Sequence, residues 1–477
     1  MLLRFLTFLF LSSLSVQLVA QQDAYRITVD VEGYEEELMT LGYYLMDKQY
    51  IVDTAYRNDD GRFVFTGDSA VLNPGIYLVV LAPDNNYFQF LIGTDGDQEF
   101  SLSTSVDALG EVRAEGSREN ELFYDYLAFL AARQREGSEL QARLADSTLA
   151  PALAAQARQK MEVLNERVTA HQQAVVAEHP EAFVSAIIRS NQPVIPPDYP
   201  EMEDEEARRT RQWRWMQEHY FDGLDLDDVR LVRTPFLFQR VDYFINTLQV
   251  KHPDTLAAAI DQVLGRMDPL SEAFKYFVVH YTNEAASSNI VGMDALYVHL
   301  VDNYYRSGKA YWADEEQVGK MVETADRLKP LLIGKQAPDL KMVTRAGNDT
   351  TLYGVDSDYT VLYFWRYDCP ACKKSTPHMK EFYENYKDRG VTIFSVCTKG
   401  IEELGECWDY VDEQKTGDWV QVADPYQRFY KDYDIKSTPA IFLLDKDKKI
   451  ISKRISAEQL GEVMDNLLSR STPENGR

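Results

Sequence analysis

Basic residues are in the minority in this chain, histidine is scarce, and cysteine is scarcer still. Lysine and arginine total 50 against 76 acidic residues, a formal net charge of −26 over 477 residues. A surface of that sign repels phosphate backbones and anionic headgroups, which argues against nucleic acid and anionic membranes as partners. Of the 7 histidines, His219, His252, His280 and His299 are scattered without metal-ligand spacing. Each is expected to be an ordinary surface or core residue, and no metal site is expected. After residue 20, no stretch is long and apolar enough for a membrane span of about 20 residues. The 4 cysteines, Cys369, Cys372, Cys397 and Cys407, all lie in the last quarter. A disulfide-stapled scaffold would spread them through a short chain, so cysteine chemistry belongs here to one region.

Hydrophobic residues make up 45% of the chain and aromatics 12%, enough for packed cores and against global disorder. The length is a prior for about three domains at roughly 150 residues each. Residues 1–4 are a short basic start, residues 6–16 an apolar core, and Leu18-Val19-Ala20 a small-residue-terminated site before Gln21. This is the pattern of a cleavable secretory signal peptide over residues 1–20. No cysteine follows that site, so no lipid anchor is expected there. The mature protein is expected to be exported, periplasmic and soluble, in a compartment that permits disulfides.

Residues 21–116 read as an all-β sandwich. Ile27, Val29 and Val31 alternate with polar residues, and further short strands are expected near 61–67, 75–81, 88–92 and 100–102. Residues 117–330 read as an all-α domain. Phe123, Tyr126, Leu127 and Leu130 share one helical stripe, and residues 139–178 are rich in Ala, Gln, Glu and Arg, a helix-forming composition. The PVIPPDYP run from Pro193 to Pro200 must be a loop. Trp213 and Trp215, beside Arg211 and Arg214, are expected to pack in a core or an interface.

Residues 334–477 alternate strand and helix. Residues 361–365 are continuously apolar, as in a strand buried on both faces. A helix then carries Met379, Phe382, Tyr383 and Tyr386 on one face, with Gly390 as its stop. Strands near 391–397, 419–422, 440–444 and 450–455 follow, and Ser456 with Gln459 forms a capping box for the last helix.

The WRYDCPACKKSTP stretch, residues 365–377, places Cys369 and Cys372 between strand and helix. Cys369 falls at the helix N-cap and Pro370 at the first helical position, where its missing N–H costs nothing. Unpaired backbone N–H groups and the positive end of the helix dipole then favour a Cys369 thiolate. Cys372 lies one turn further in and is the resolving thiol, closing a disulfide once Cys369 has formed a mixed disulfide. Lys373 and Lys374 favour the thiolate and Asp368 opposes it. A zinc clip lacks its second close pair. Cys397 and Cys407 read first as buried free cysteines, with a second disulfide or accessory redox pair as the alternative.

These residues resemble a known family. Residues 334–470 are similar to the thioredoxin-fold domain of the periplasmic ResA and TlpA-type thiol-disulfide oxidoreductases. The resemblance rests on residues 334–340, Phe364-Trp365, the Cys369/Cys372 pair with Lys373 and Pro377, and Ser437-Thr438-Pro439. Residues 25–330 resemble the β and helical domains upstream of thioredoxin-like domains in exported proteins of Bacteroidota. The resemblance implies a cis Thr438–Pro439 bond. It also implies a substrate groove shaped by Trp365, Pro370, Thr438 and Pro439, with Thr438 backbone pairing to an extended substrate. No cofactor is implied. The expected partners are proteins with disulfides or thiols and an upstream redox partner: a thiol donor such as a membrane thiol-transfer protein if the pair runs as a reductase, an oxidising partner if it runs as an oxidase. Two departures stand out. Tyr363 occupies the position of the buried acid of thioredoxin, and Pro370-Ala371 replaces its Gly-Pro. A peroxiredoxin would need Thr or Ser where Arg366 stands and Pro where Val361 stands, and is set aside. The second function class left open is a cell-envelope docking protein whose thioredoxin fold does not turn over.

Overall fold

The computed structural model describes residues 24–471 other than 68, 69, 95 and 97. The expected signal peptide therefore lies outside the described residues. The chain divides into two compact units, Met1–Val241 and Asp242–Arg477.

Among the described residues the first unit opens with eight strands: β1 Tyr25–Glu32, β2 Leu38–Leu45, β3 Lys48–Tyr56, β4 Phe63–Gly67, β5 Gly75–Leu81, β6 Asn86–Ile92, β7 Glu99–Ser105 and β8 Arg113–Glu115. They form two four-stranded sheets, ordered β4-β1-β7-β8 and β3-β2-β5-β6. The sheets meet through apolar faces, with Phe90 of β6 edge-on to Phe100 of β7 at 5.6 Å between ring centroids. Strands β2, β3 and β8 are additions to the sequence reading. Most of β3 is solvent-facing, with Ile51 73% exposed, so it lacks the alternation that marks a half-buried strand.

Helices follow at Arg118–Ala145, Pro151–Glu178, Phe183–Asn191 and Glu205–His219. Between the first two the chain breaks because Asp146 accepts from the Thr148 amide and hydroxyl at 2.8 and 2.7 Å. Pro151 then starts the next helix. The first helix also covers the exposed edge of β6. Asn120 accepts from the Leu91 amide at 2.7 Å and donates to the Leu91 carbonyl at 2.9 Å, so its side-chain amide substitutes for a neighbouring strand. Of the two settings expected for Trp213 and Trp215, a core or an interface, the core is not found. Their helix buries no residue, Trp213 is 38% exposed, and Trp215 stacks on His219 at 4.4 Å.

In the second unit, helices Pro253–Leu264, Glu272–Ser287, Asp294–Leu300 and Glu315–Leu328 precede strands β9 Lys341–Thr344, β10 Asp349–Thr351, β11 Tyr359–Trp365, β12 Val391–Cys397, β13 Val420–Ala423, β14 Ala440–Asp445 and β15 Ile450–Lys453. The strands form one sheet, β10-β9-β13-β12-β11-β14-β15. Central β11 pairs in parallel with β12, Tyr359 opposite Val391 through Trp365 opposite Cys397, and antiparallel with β14. Its side chains alternate between two cores. Val361, Tyr363 and Trp365 join the helix Pro370–Tyr386 and the C-terminal helix, while Leu362 and Phe364 pack with Phe429, Tyr433 and Phe442. Each such aromatic contributes roughly 1.5–3 kcal/mol by leaving water. The helix Pro370–Tyr386 ends in a short turn closed by Gly390 at φ 78°, and the Ser456 amide donates to Gln459 Oε1 at 2.9 Å. No helix among the described residues is long and apolar enough to cross a membrane.

One expectation for this unit is overturned. Cys397 and Cys407 are not free thiols but a disulfide, with Cα atoms 6.5 Å apart, a separation suited to the bond. The strand β12 ends at Cys397, and the helix Leu404–Gln414 turns Cys407 back onto it.

Candidate active site

The strand β11 delivers the chain to Cys369, which caps the helix Pro370–Tyr386. Cys369 Sγ accepts from the Cys372 amide at 3.2 Å. As a thiol it donates to the Thr438 carbonyl oxygen, also at 3.2 Å. Both cysteines are free; Cys369 is 6% exposed and Cys372 is fully buried.

The two thiols are electrostatically unequal. Burial alone would raise Cys369, but hydrogen bonds from the Cys372 thiol, the Thr438 side chain and the amides of Cys372 and Ala371 carry it below its ordinary value. Burial pushes Cys372 up to about 12, and the neighbouring Cys369 adds to the rise. A nucleophilic thiol in front of a protonated one is the arrangement a two-step exchange requires.

Asp368 does not confront the Cys369 thiolate as a free charge. Burial would raise its carboxyl, but Lys399 at 3.1 Å and Arg366 at 3.0 Å hold it below the usual range. Lys399 also pairs with Glu403 at 2.7 Å, which accepts from the Tyr367 hydroxyl at 3.0 Å.

The other expected site residues divide into two groups. Pro370 is exposed, Thr438 and Pro439 are half-buried, and the Thr438–Pro439 peptide is cis. Trp365 sits beneath this surface at 3% exposure. Its indole N–H donates to Ser395 Oγ at 2.7 Å, and its ring lies 5.4 Å from that of Tyr410.

Behind Cys372, Thr376 Oγ1 donates to the Cys372 carbonyl at 2.9 Å and lies 3.1 Å from the Tyr410 hydroxyl. Tyr363 is buried there with a hydroxyl that has no hydrogen-bond partner. Sequence reasoning missed Thr376 and Tyr410. Thr376 could have been found, since it stands one helical turn after Cys372. Tyr410 comes from a helix remote in sequence and carries no local signal.

The chain is similar to known proteins in each of its regions. The AhpC/TSA family model matches residues 333–453, and the domains of unknown function DUF5106 and DUF4369 match residues 152–327 and 25–123. The thiol-disulfide oxidoreductase ResA of Bacillus thuringiensis (strain Al Hakam) is 30% identical over 149 residues, 31% of this chain and 83% of that protein. Among solved structures, a domain of a possible thiol-disulfide isomerase from Cytophaga hutchinsonii is 33% identical, covering 30% of this chain and 96% of that one, with a TM-score of 0.28. A thioredoxin-like protein from Bacteroides caccae is 17% identical, covering 58% of this chain and 98% of that one, with a TM-score of 0.42.

Proposed function

The chain belongs to the ResA family of thiol-disulfide oxidoreductases, and from that membership we propose that it is an exported enzyme that reduces protein disulfides in the cell envelope through Cys369 and Cys372. The observation that carries this reading is the inequality of the two thiols, Cys369 lowered at a helix N-cap and Cys372 raised behind it. In the first step the Cys369 thiolate attacks a substrate disulfide. One substrate sulfur leaves as thiolate, and the other stays bound to Cys369. In the second step Cys372 attacks the Cys369 sulfur, freeing the substrate as a second thiolate and leaving a Cys369–Cys372 disulfide. The substrate gains two electrons, and an upstream thiol donor must return them. Pro370, Thr438 and Pro439 form the surface beside Cys369 on which an extended substrate segment would lie.

The test is a redox titration of the mature protein in glutathione buffers, with thiols trapped by alkylation and read by mass, and Cys369→Ala as control. A two-electron transition below about −230 mV is expected of a reductase, whereas one near about −120 mV would mark an oxidase. No Cys369-dependent transition would leave the docking reading in its place.

A further inference from the structure

Cys372 must lose a proton to close the disulfide, yet it is fully buried and its environment holds the proton on. Among the described residues no carboxylate hydrogen-bonds to Cys372, Tyr363, Thr376 or Tyr410. What surrounds Cys372 instead is a set of hydroxyls. We propose that the hydroxyls of Tyr363, Thr376 and Tyr410 form the path by which the Cys372 proton leaves for solvent. This rests on the proposed use of Cys369 and Cys372.

The three hydroxyls grade outward. Tyr363 and Thr376 are buried, at 1% and 3% exposure, and Tyr410 is half-buried. Thr376 Oγ1 and the Tyr410 hydroxyl are already in contact at 3.1 Å; at rest Thr376 gives its one proton to the Cys372 carbonyl, so Tyr410 donates to Thr376, and the relay turns both hydroxyls around. Burial, Cys372 and Tyr410 raise Tyr363 and the Thr376 hydroxyl lowers it, a contact short of full hydrogen-bond geometry that leaves the buried Tyr363 hydroxyl without a well-formed partner. Buried polar atoms are rarely left so. A free donor and acceptor beside a thiol that must deprotonate gives the orphaned group a role.

The path is also held in place. Tyr410 stands on the helix Leu404–Gln414, which the Cys397–Cys407 disulfide ties to the end of β12, where Cys397 is the register partner of Trp365. The Lys380 ammonium donates to the Gln414 carbonyl at 2.8 Å at the far end of the same helix. The ring of Tyr410 rests on Trp365.

The ionisable groups acting on this set are Cys369 and Cys372 on both tyrosines, Tyr410 on Tyr363 and Glu413 on Tyr410. Burial raises both tyrosines and the cysteines raise them further, so they stay protonated and act as relays, each accepting one proton while passing on its own. In the step itself the Cys372 sulfur bonds to Cys369 and the Cys369–substrate bond breaks. The substrate sulfur departs with the electron pair, and the Cys372 proton crosses the hydroxyls to water.

The test uses the full mature chain, oxidised glutathione as the disulfide, and the variants Tyr363→Phe, Tyr410→Phe and Thr376→Val. Two rates are followed by acid quench and mass: alkylation of Cys369, and closure of the glutathione mixed disulfide to Cys369–Cys372. The expected result at about pH 7 is closure slowed roughly tenfold or more, with Cys369 alkylation unchanged. The deficit should shrink as the pH rises and hydroxide replaces the relay. Closure at the parental rate in Tyr363→Phe and Tyr410→Phe would overturn the relay while leaving the oxidoreductase reading intact. A deficit constant with pH, or one matched by slower Cys369 alkylation, would also overturn it, since it would report packing. Failure of Cys372→Ser to accumulate any glutathione adduct on Cys369 would overturn both readings.

Discussion

Asp294 and Lys453 stand 159 positions apart and form an ion pair whose side chains are only 5% and 3% exposed. Asp294 begins a helix and Lys453 ends β15, so the pair joins the helical part of the second unit to the edge of its sheet. The Lys453 ammonium also donates to the Leu331 carbonyl. Burial lowers the Lys453 pKa, and Asp294 opposes that fall. Desolvating two charges costs several kcal/mol per ion, so the pair adds little net stability, but removing one partner strands the other.

Asp294→Ala is accordingly expected to destabilise the second unit by about 3–5 kcal/mol, read as a lower urea midpoint at unchanged slope. The double variant Asp294→Ala/Lys453→Met should recover most of that loss. A single variant within about 0.5 kcal/mol of the parent would sink this account.

The thiol pair predicts a pH signature in the reduced protein. The folded Cys369 pKa lies below its free value of about 8.5, so over that interval the unfolded chain holds the extra proton and stability rises with pH. Cys372 has the opposite sign. Its folded pKa is about 12, so from about pH 8.5 upward the unfolded chain loses its proton first and stability falls. Reduced minus oxidised unfolding free energy should therefore pass through a maximum near about pH 8.5. A flat difference from pH 6 to 10 would contradict the inequality of the two thiols.

Local chemistry made the first half of this site legible and tertiary register hid the second. Cys369 as N-cap, Pro370 at the first helical position, Gly390 as stop and the Ser456–Gln459 cap each depend on neighbours within a few residues, so the chain alone announces them. The run 361–365 read as a strand buried on both faces, and its alternating side chains do enter two cores. The Cys397–Cys407 bond, the reach of Tyr410 to Thr376 and the Asp294–Lys453 pair depend on which elements lie side by side. No spacing encodes that. Strand β3 was hidden for another reason: it faces solvent, and solvent-facing strands leave no hydrophobic period.

The Asn120–Leu91 pairing gives a prediction for the first unit. A side-chain amide that completes the edge of β6 leaves both the Leu91 amide and carbonyl unsatisfied when removed. Asn120→Ala should cost about 1–3 kcal/mol, with faster hydrogen exchange confined to Leu91 and its neighbours in β6. Global destabilisation without local exchange would mean that the edge is held by other contacts, Tyr124 to the Gln89 carbonyl first among them.

The Cys397–Cys407 bond is expected to be structural, not part of electron transfer. Both sulfurs are fully buried, so no partner thiolate reaches them while the fold is intact. Replacing both with serine should lower stability by about 2–4 kcal/mol and leave the Cys369–Cys372 redox midpoint where it was. Because Cys407 anchors the helix that carries Tyr410, the same variant should loosen Tyr410 from Trp365, seen as a change in near-ultraviolet circular dichroism. A shifted Cys369–Cys372 midpoint without loss of stability would instead make the second disulfide an electron-carrying partner of the first.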